Sequence, residues 1–128
     1  METSSDTLWI RLGGETKLRK VIDTFVPLVI RNPKVNYSRA GKFKLDEEAI
    51  ARTKKGAFEF LSSATGGPFS YAGDPIELIH TGMGITDEEF DAFTSDFKAA
   101  LELNGVLPSV IREAIEAVSA TRPFIVGK

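Results

Sequence analysis

Apolar residues recur at helical spacing in four long stretches of this chain, each bounded by capping or turn residues. From Glu15 to Arg31, the positions Leu18, Val21, Ile22, Phe25, Leu28 and Val29 share one face. Asp46 can cap a second helix reaching about Ala64, with Ile50, Thr53, Ala57, Phe60, Leu61 and Ala64 turned inward. Thr86 and Glu89 form a capping box that opens a third, whose inner face carries Phe90, Phe93, Phe97, Ala100 and Leu101. Pro108 starts the last, with Val110, Ile111, Ala114, Ile115 and Val118 on one stripe. No segment alternates as a strand would. The predicted class is all-α.

Shorter elements fill the gaps. A brief helix over Leu8–Leu12 should stop at Gly13-Gly14, where glycine accepts the backbone of a helix end. Asn32-Pro33 closes the first long helix, and Pro27 inside it predicts a kink or early break near Val26. Lys34 to Lys44 is basic, polar and aperiodic, and reads as a turn of helix followed by loop. Gly66-Gly67-Pro68 and Asn104-Gly105 are firm breaks. Asp74, Pro75 and Glu77 together predict a short helix capped by Asp74, which carries His80.

Composition narrows the chemistry. The chain's 128 residues suit one domain, with residues 1–6 expected as a flexible N-terminus. A net charge of −2 gives no general attraction to nucleic acid or an anionic membrane. With no cysteine there is neither a disulfide, nor a thiolate site, nor a cysteine nucleophile. The start reads as neither a secretory signal nor a membrane span, which needs about 20 apolar residues, so a cytoplasmic protein is expected. No Ser-His-Asp set is evident, and "LGGETK" lacks the glycine spacing and lysine-serine/threonine ending of a phosphate loop.

His80, in "IHTGMGITDEEF", is the single histidine. A lone histidine is most often a surface or packing residue, and a zinc site here would need carboxylates for all its other protein ligands.

Three motifs, "LWIRLGG" (8–14), "FLSSATGGPFSYAG" (60–73) and "HTGMGITDEEFDAF" (80–93), followed by "AALELNGV" (99–106), resemble the group I truncated haemoglobins in order and spacing. The resemblance covers residues 7–122. It implies a two-over-two helical sandwich, the first long helix and the Asp46 helix packed on the last two, with haem b between them and His80 as proximal iron ligand. The histidine's other nitrogen should then donate to a backbone carbonyl, as metal-bound histidines usually do. Phe60, Leu61, Ile85, Phe90, Phe93 and Val118 are candidates for the apolar slot, although each equally suits an ordinary core. Tyr71 matches a family tyrosine that reaches a haem propionate. The implied function is reversible binding of a diatomic gas (oxygen, carbon monoxide or nitric oxide), in gas sensing, scavenging or storage.

The distal side departs from the family. Where relatives carry a tyrosine in the first long helix, this chain has Val26, and the next helix offers Thr53 and Ala57 toward the ligand. Ser38 and Arg39 replace an expected phenylalanine pair, leaving Phe43 as the ring that wedges the haem. Lys54 and Lys55 lie within side-chain reach of the distal face, where a deprotonated lysine can ligate iron, although both also suit a solvated helix exterior. An apolar distal pocket withholds the hydrogen bonds that oxygen prefers over carbon monoxide, so weak oxygen retention is expected. Nitric oxide dioxygenation, which needs retained oxygen and a reductase partner, is thereby disfavoured, and an enzyme is not the leading reading. A monomer or weak homodimer is expected. The alternative is a haem-free globin-fold interaction or structural module.

Overall fold

The computed structural model describes residues 7–39, 41 and 45–128, and among these every regular element is helical. Phe43 and residues 1–6 lie outside the described residues. Helix α1 (Leu8–Leu12) is capped by the Thr7 hydroxyl, which accepts from the Ile10 N–H at 3.3 Å. It ends on Gly13 at φ 110°, left-handed backbone that glycine adopts without strain. Helix α2 (Gly14–Arg31) follows directly. Pro27 does not break it: the helix runs through to Arg31, whose side chain donates to the Pro27 carbonyl at 3.2 Å. Of the kink or early break expected near Val26, the break is therefore absent. Pro27 is itself only half-buried, which makes the loss of one backbone bond there tolerable.

Helix α3 (Glu47–Thr65) is capped by Asp46, whose carboxylate accepts from the Ala49 N–H at 2.8 Å. Its buried residues are Phe58, Leu61, Ser62 and Thr65, whereas Ala64, expected inward, is exposed. The apolar pattern was read one stripe too far round. Helix α4 (Ile76–His80) has Pro75 at its N-cap and no side-chain cap, so Asp74 does not play that role. Helix α5 (Asp87–Leu103) carries the Thr86–Glu89 capping box in full, both bonds at 3.1 Å. Helix α6 (Pro108–Ser119) precedes a single turn, α7 (Arg122–Ile125), that the hydrophobic pattern did not predict.

Helix α2 lies between α3 and α5; α6 packs on α5 and α3, giving the two-over-two sandwich. Phe25 anchors its centre, edge-on to Phe93 at 5.0 Å and to Phe97 at 5.2 Å. Around it Leu18, Val21, Phe90, Ala100 and Leu101 are sealed from solvent. Each large side chain so buried contributes about 1.5–3 kcal/mol. No helix among the described residues is long and apolar enough to cross a membrane.

The Gly66-Gly67 pair has a packing explanation that needs no cofactor. Gly66 ends α3 at φ 90°, and a Cβ on Gly67 would come within 2.5 Å of both the Ser62 hydroxyl and the Trp9 ring. Ser62 in turn accepts from the Phe69 N–H at 3.0 Å, closing the turn back onto α3. Gly67→Ala should therefore overpack this corner and destabilise the protein by about 1–3 kcal/mol, read as a lowered urea midpoint. An unchanged midpoint would show that Trp9 gives way freely.

Candidate functional site

Helix α4 ends on the one histidine, and its ring is already oriented. His80 Nδ1 lies 2.7 Å from the Ile76 carbonyl oxygen, one turn back on the same helix. A carbonyl can only accept, so Nδ1 carries the proton and the lone pair of the neutral ring sits on Nε2. Five residues are too few for a helix to persist alone. Neighbouring chain holds it: α4 packs on α7, and the Gly127 N–H donates to the Ile85 carbonyl at 2.9 Å. Lys128 adds an exposed ion pair to Glu77 at 3.1 Å, worth at most about 1 kcal/mol.

Helix α3 presents two faces. Phe58, Leu61 and Thr65 are buried in the core, whereas Ile50, Thr53, Ala57 and Phe60, roughly a hundred degrees round the helix, are only half-buried. Phe60 stands edge-on to Tyr71 at 6.2 Å. Burial, and then the charges of Asp74 and Glu59, push the Tyr71 hydroxyl above its usual pKa, so it stays a neutral donor. Of the slot residues expected from sequence, Phe60, Tyr71, Ile85 and Phe93 keep accessible surface; Leu61, Phe90 and Val118 are sealed in the core. Val26 is buried as well.

Lys55 Nζ lies 2.8 Å from Glu59 with its side chain mostly in solvent, which fits the helix exterior. Lys54 is half-buried instead, its Nζ 3.3 Å from Asp23 on α2, an ion pair that holds it away from the stripe. Thr53 bonds back to the Ala49 carbonyl at 3.1 Å, and its hydroxyl also meets that of Tyr37, from the segment between α2 and α3. Tyr37 was not singled out from sequence, because nothing in local periodicity brings residue 37 to residue 53.

Arg39, which the sequence marks only by the absence of a phenylalanine, has a structural task. Its guanidinium donates to Glu89 at 2.9 Å and to the Met83 carbonyl at 2.8 Å, joining the segment after α2 to the loop just beyond His80 and to the start of α5. Asn36 donates to the same carboxylate at 3.3 Å. Asn36 and Arg39 take φ of 55° and 52°, a conformation costing non-glycine residues about 1–3 kcal/mol each, which these bonds offset. Burial would raise the Glu89 pKa, but hydrogen bonds from Thr86, Arg39 and Asn36, with the Arg39 charge, outweigh it and hold the carboxyl below its ordinary value.

A helical sandwich with one histidine offered from a short connecting helix is the arrangement of a globin. The bacterial-like globin family model matches residues 7–126. A group 1 truncated hemoglobin of Tetrahymena pyriformis is 30% identical over 122 residues, 95% of this chain and 96% of its own. One of Mycolicibacterium paratuberculosis is 28% identical over 93% of this chain and 83% of its own. The crystal structure of the Tetrahymena pyriformis truncated hemoglobin in its Fe(III) form superposes with a TM-score of 0.86, at 28% identity, covering 96% of this chain and all of that one. The chain belongs to the bacterial-like globin family, a family of haem-binding proteins, as a group I truncated globin.

The residues fit that cofactor: an imidazole whose Nδ1 is held by a carbonyl and whose Nε2 is left to a metal, a half-buried apolar helix face, and a neutral tyrosine donor beside it. The clasp gives a pH-dependent prediction. Because Glu89 is more acidic folded than unfolded, its contribution is complete above the ordinary carboxylate value of 4.5 and is lost as pH falls through the lower folded value. Glu89→Gln, which keeps the capping box, should thus lower the urea midpoint at pH 7 and approach the unaltered protein near pH 3. An equal deficit at both pH values would remove the ion pair from the account.

Proposed function

We propose that His80 ligates the iron of haem b through Nε2 and that the chain reversibly binds a diatomic gas. The observation that carries this reading is the bond between Nδ1 and the Ile76 carbonyl, which leaves Nε2 as the nitrogen with a lone pair. Haem iron, held by His80, would supply the coordination chemistry by which a diatomic gas binds. Around it the chain's own residues have separate tasks. Phe60, Ile85 and Phe93 cover the porphyrin faces and exclude water, with Leu61, Phe90 and Val118 packed behind them. Tyr71 donates to a propionate, as a phenol that stays protonated can. Thr53 and Ala57 face the ligand, and Val26 closes the floor of the pocket. The proposed role is gas sensing, scavenging or storage in the cytoplasm.

The rival, a haem-free interaction module on the same fold, draws on one observation. Gly66 and Gly67 are explained by the helix end and by Trp9, so this motif serves the fold with or without haem. His80 and the half-buried face of α3 have no such explanation in packing, and they support the haem reading.

Titration of the apoprotein with haemin tests it. A Soret band saturating at one haem per chain is expected, and His80→Ala should shift that band or abolish it. A His80→Ala spectrum identical to that of the unaltered protein would overturn the ligand assignment, and no band in either protein would favour the haem-free module.

A further inference from the structure

We infer that Tyr37 supplies the polar contact to the gas ligand that Val26 cannot, and so sets the preference of the site for oxygen over carbon monoxide. This rests on the haem reading above. The half-buried stripe of α3 runs through Ile50, Thr53, Ala57 and Phe60, and Thr53 is the one member with a polar side chain. The Tyr37 and Thr53 hydroxyls are in hydrogen-bond contact. A phenol is thereby delivered to the ligand face of α3 from a segment that is distant in sequence.

The protons can be counted. Thr53 has a single hydroxyl proton, and it is given to the Ala49 carbonyl at 3.1 Å. Tyr37 is then the donor in the pair, with Thr53 its acceptor. A phenol hydroxyl turns about its C–O bond. It can exchange the neutral threonine oxygen for a more negative acceptor arriving in the pocket, and hydrogen bonds to partly charged acceptors are the stronger kind. Dioxygen presents such an acceptor; carbon monoxide is a much poorer one.

The placement of Tyr37 is fixed on both sides. Asn36 donates to Glu89, and Arg39 donates to Glu89 and to the Met83 carbonyl. The ring also packs against the hydrophobic core. The expectation of weak oxygen retention, drawn from Val26 and Ala57, counted only residues on the two helices. With Tyr37 included the pocket has a donor, and oxygen retention is expected to be firm.

Tyr37→Phe removes the hydroxyl and keeps the ring. By stopped flow on the haem-loaded protein, dioxygen dissociation should accelerate about tenfold or more, with carbon monoxide dissociation changed far less. The C–O stretch of the carbon monoxide adduct should also rise in the variant. Equal acceleration for both gases would indicate a loosened pocket and overturn the assignment, as would an unchanged dioxygen rate. Should the variant fail to fold, dioxygen release from the unaltered protein in H2O and in D2O replaces it: a solvent isotope effect supports a hydroxyl donor, and identical rates contradict one. Haemin titration separates the two failures. A normal Soret band with no dependence on Tyr37 sinks this inference alone, whereas no haem binding in the unaltered protein sinks both readings.

Discussion

The hydrogen bond from His80 Nδ1 to the Ile76 carbonyl, 2.7 Å long, is the contact on which the functional reading depends. It selects one tautomer, points one nitrogen outward, and does so within a single helical turn. That economy has a cost, because a turn of five residues has no stability of its own. The protein provides it from outside, through α7 and the Gly127–Ile85 bond on one flank and the Arg39 clasp on Met83 beyond the C-terminal end. The position of the imidazole is thus a property of tertiary structure, although its orientation is local.

The segment after α2 is held by charge, through a half-buried ion pair between Arg39 and Glu89, each side chain under a fifth exposed. Such a pair is directional. It ties the segment after α2, the loop beyond His80 and the start of α5 in a fixed relation, and it carries Tyr37 with it. A buried ion pair adds little net stability but makes alternatives costly, because either partner left alone is an uncompensated charge.

What was legible in the sequence was whatever depends on neighbours along the chain. The Thr86–Glu89 capping box, the Asp46 cap and the glycine helix ends all follow from local backbone chemistry, and all stand in the structure. The inward faces of α2, α5 and α6 follow from periodicity. Local rules failed where tertiary packing decides. Pro27 predicts a kink or a break, and α2 does not make the break; Asp74 predicts a cap that Pro75 displaces, and Ala64 a burial that belongs to Thr65. Phe58, buried against Trp9 and Phe69, was passed over because α3 turns two apolar faces inward instead of one. Tyr37, Arg39 and the second task of Glu89 are illegible for a further reason: their contacts span 16 and 50 residues, and a polar side chain announces no partner at that distance.

The central claim is that His80 reaches iron through Nε2 while Nδ1 keeps its carbonyl. A crystal structure of the haemin-loaded protein tests it most directly. The account predicts continuous density between the iron and His80 Nε2, with Nδ1 still on the Ile76 oxygen. Iron held by any other side chain, or an imidazole turned away from the porphyrin, would contradict it.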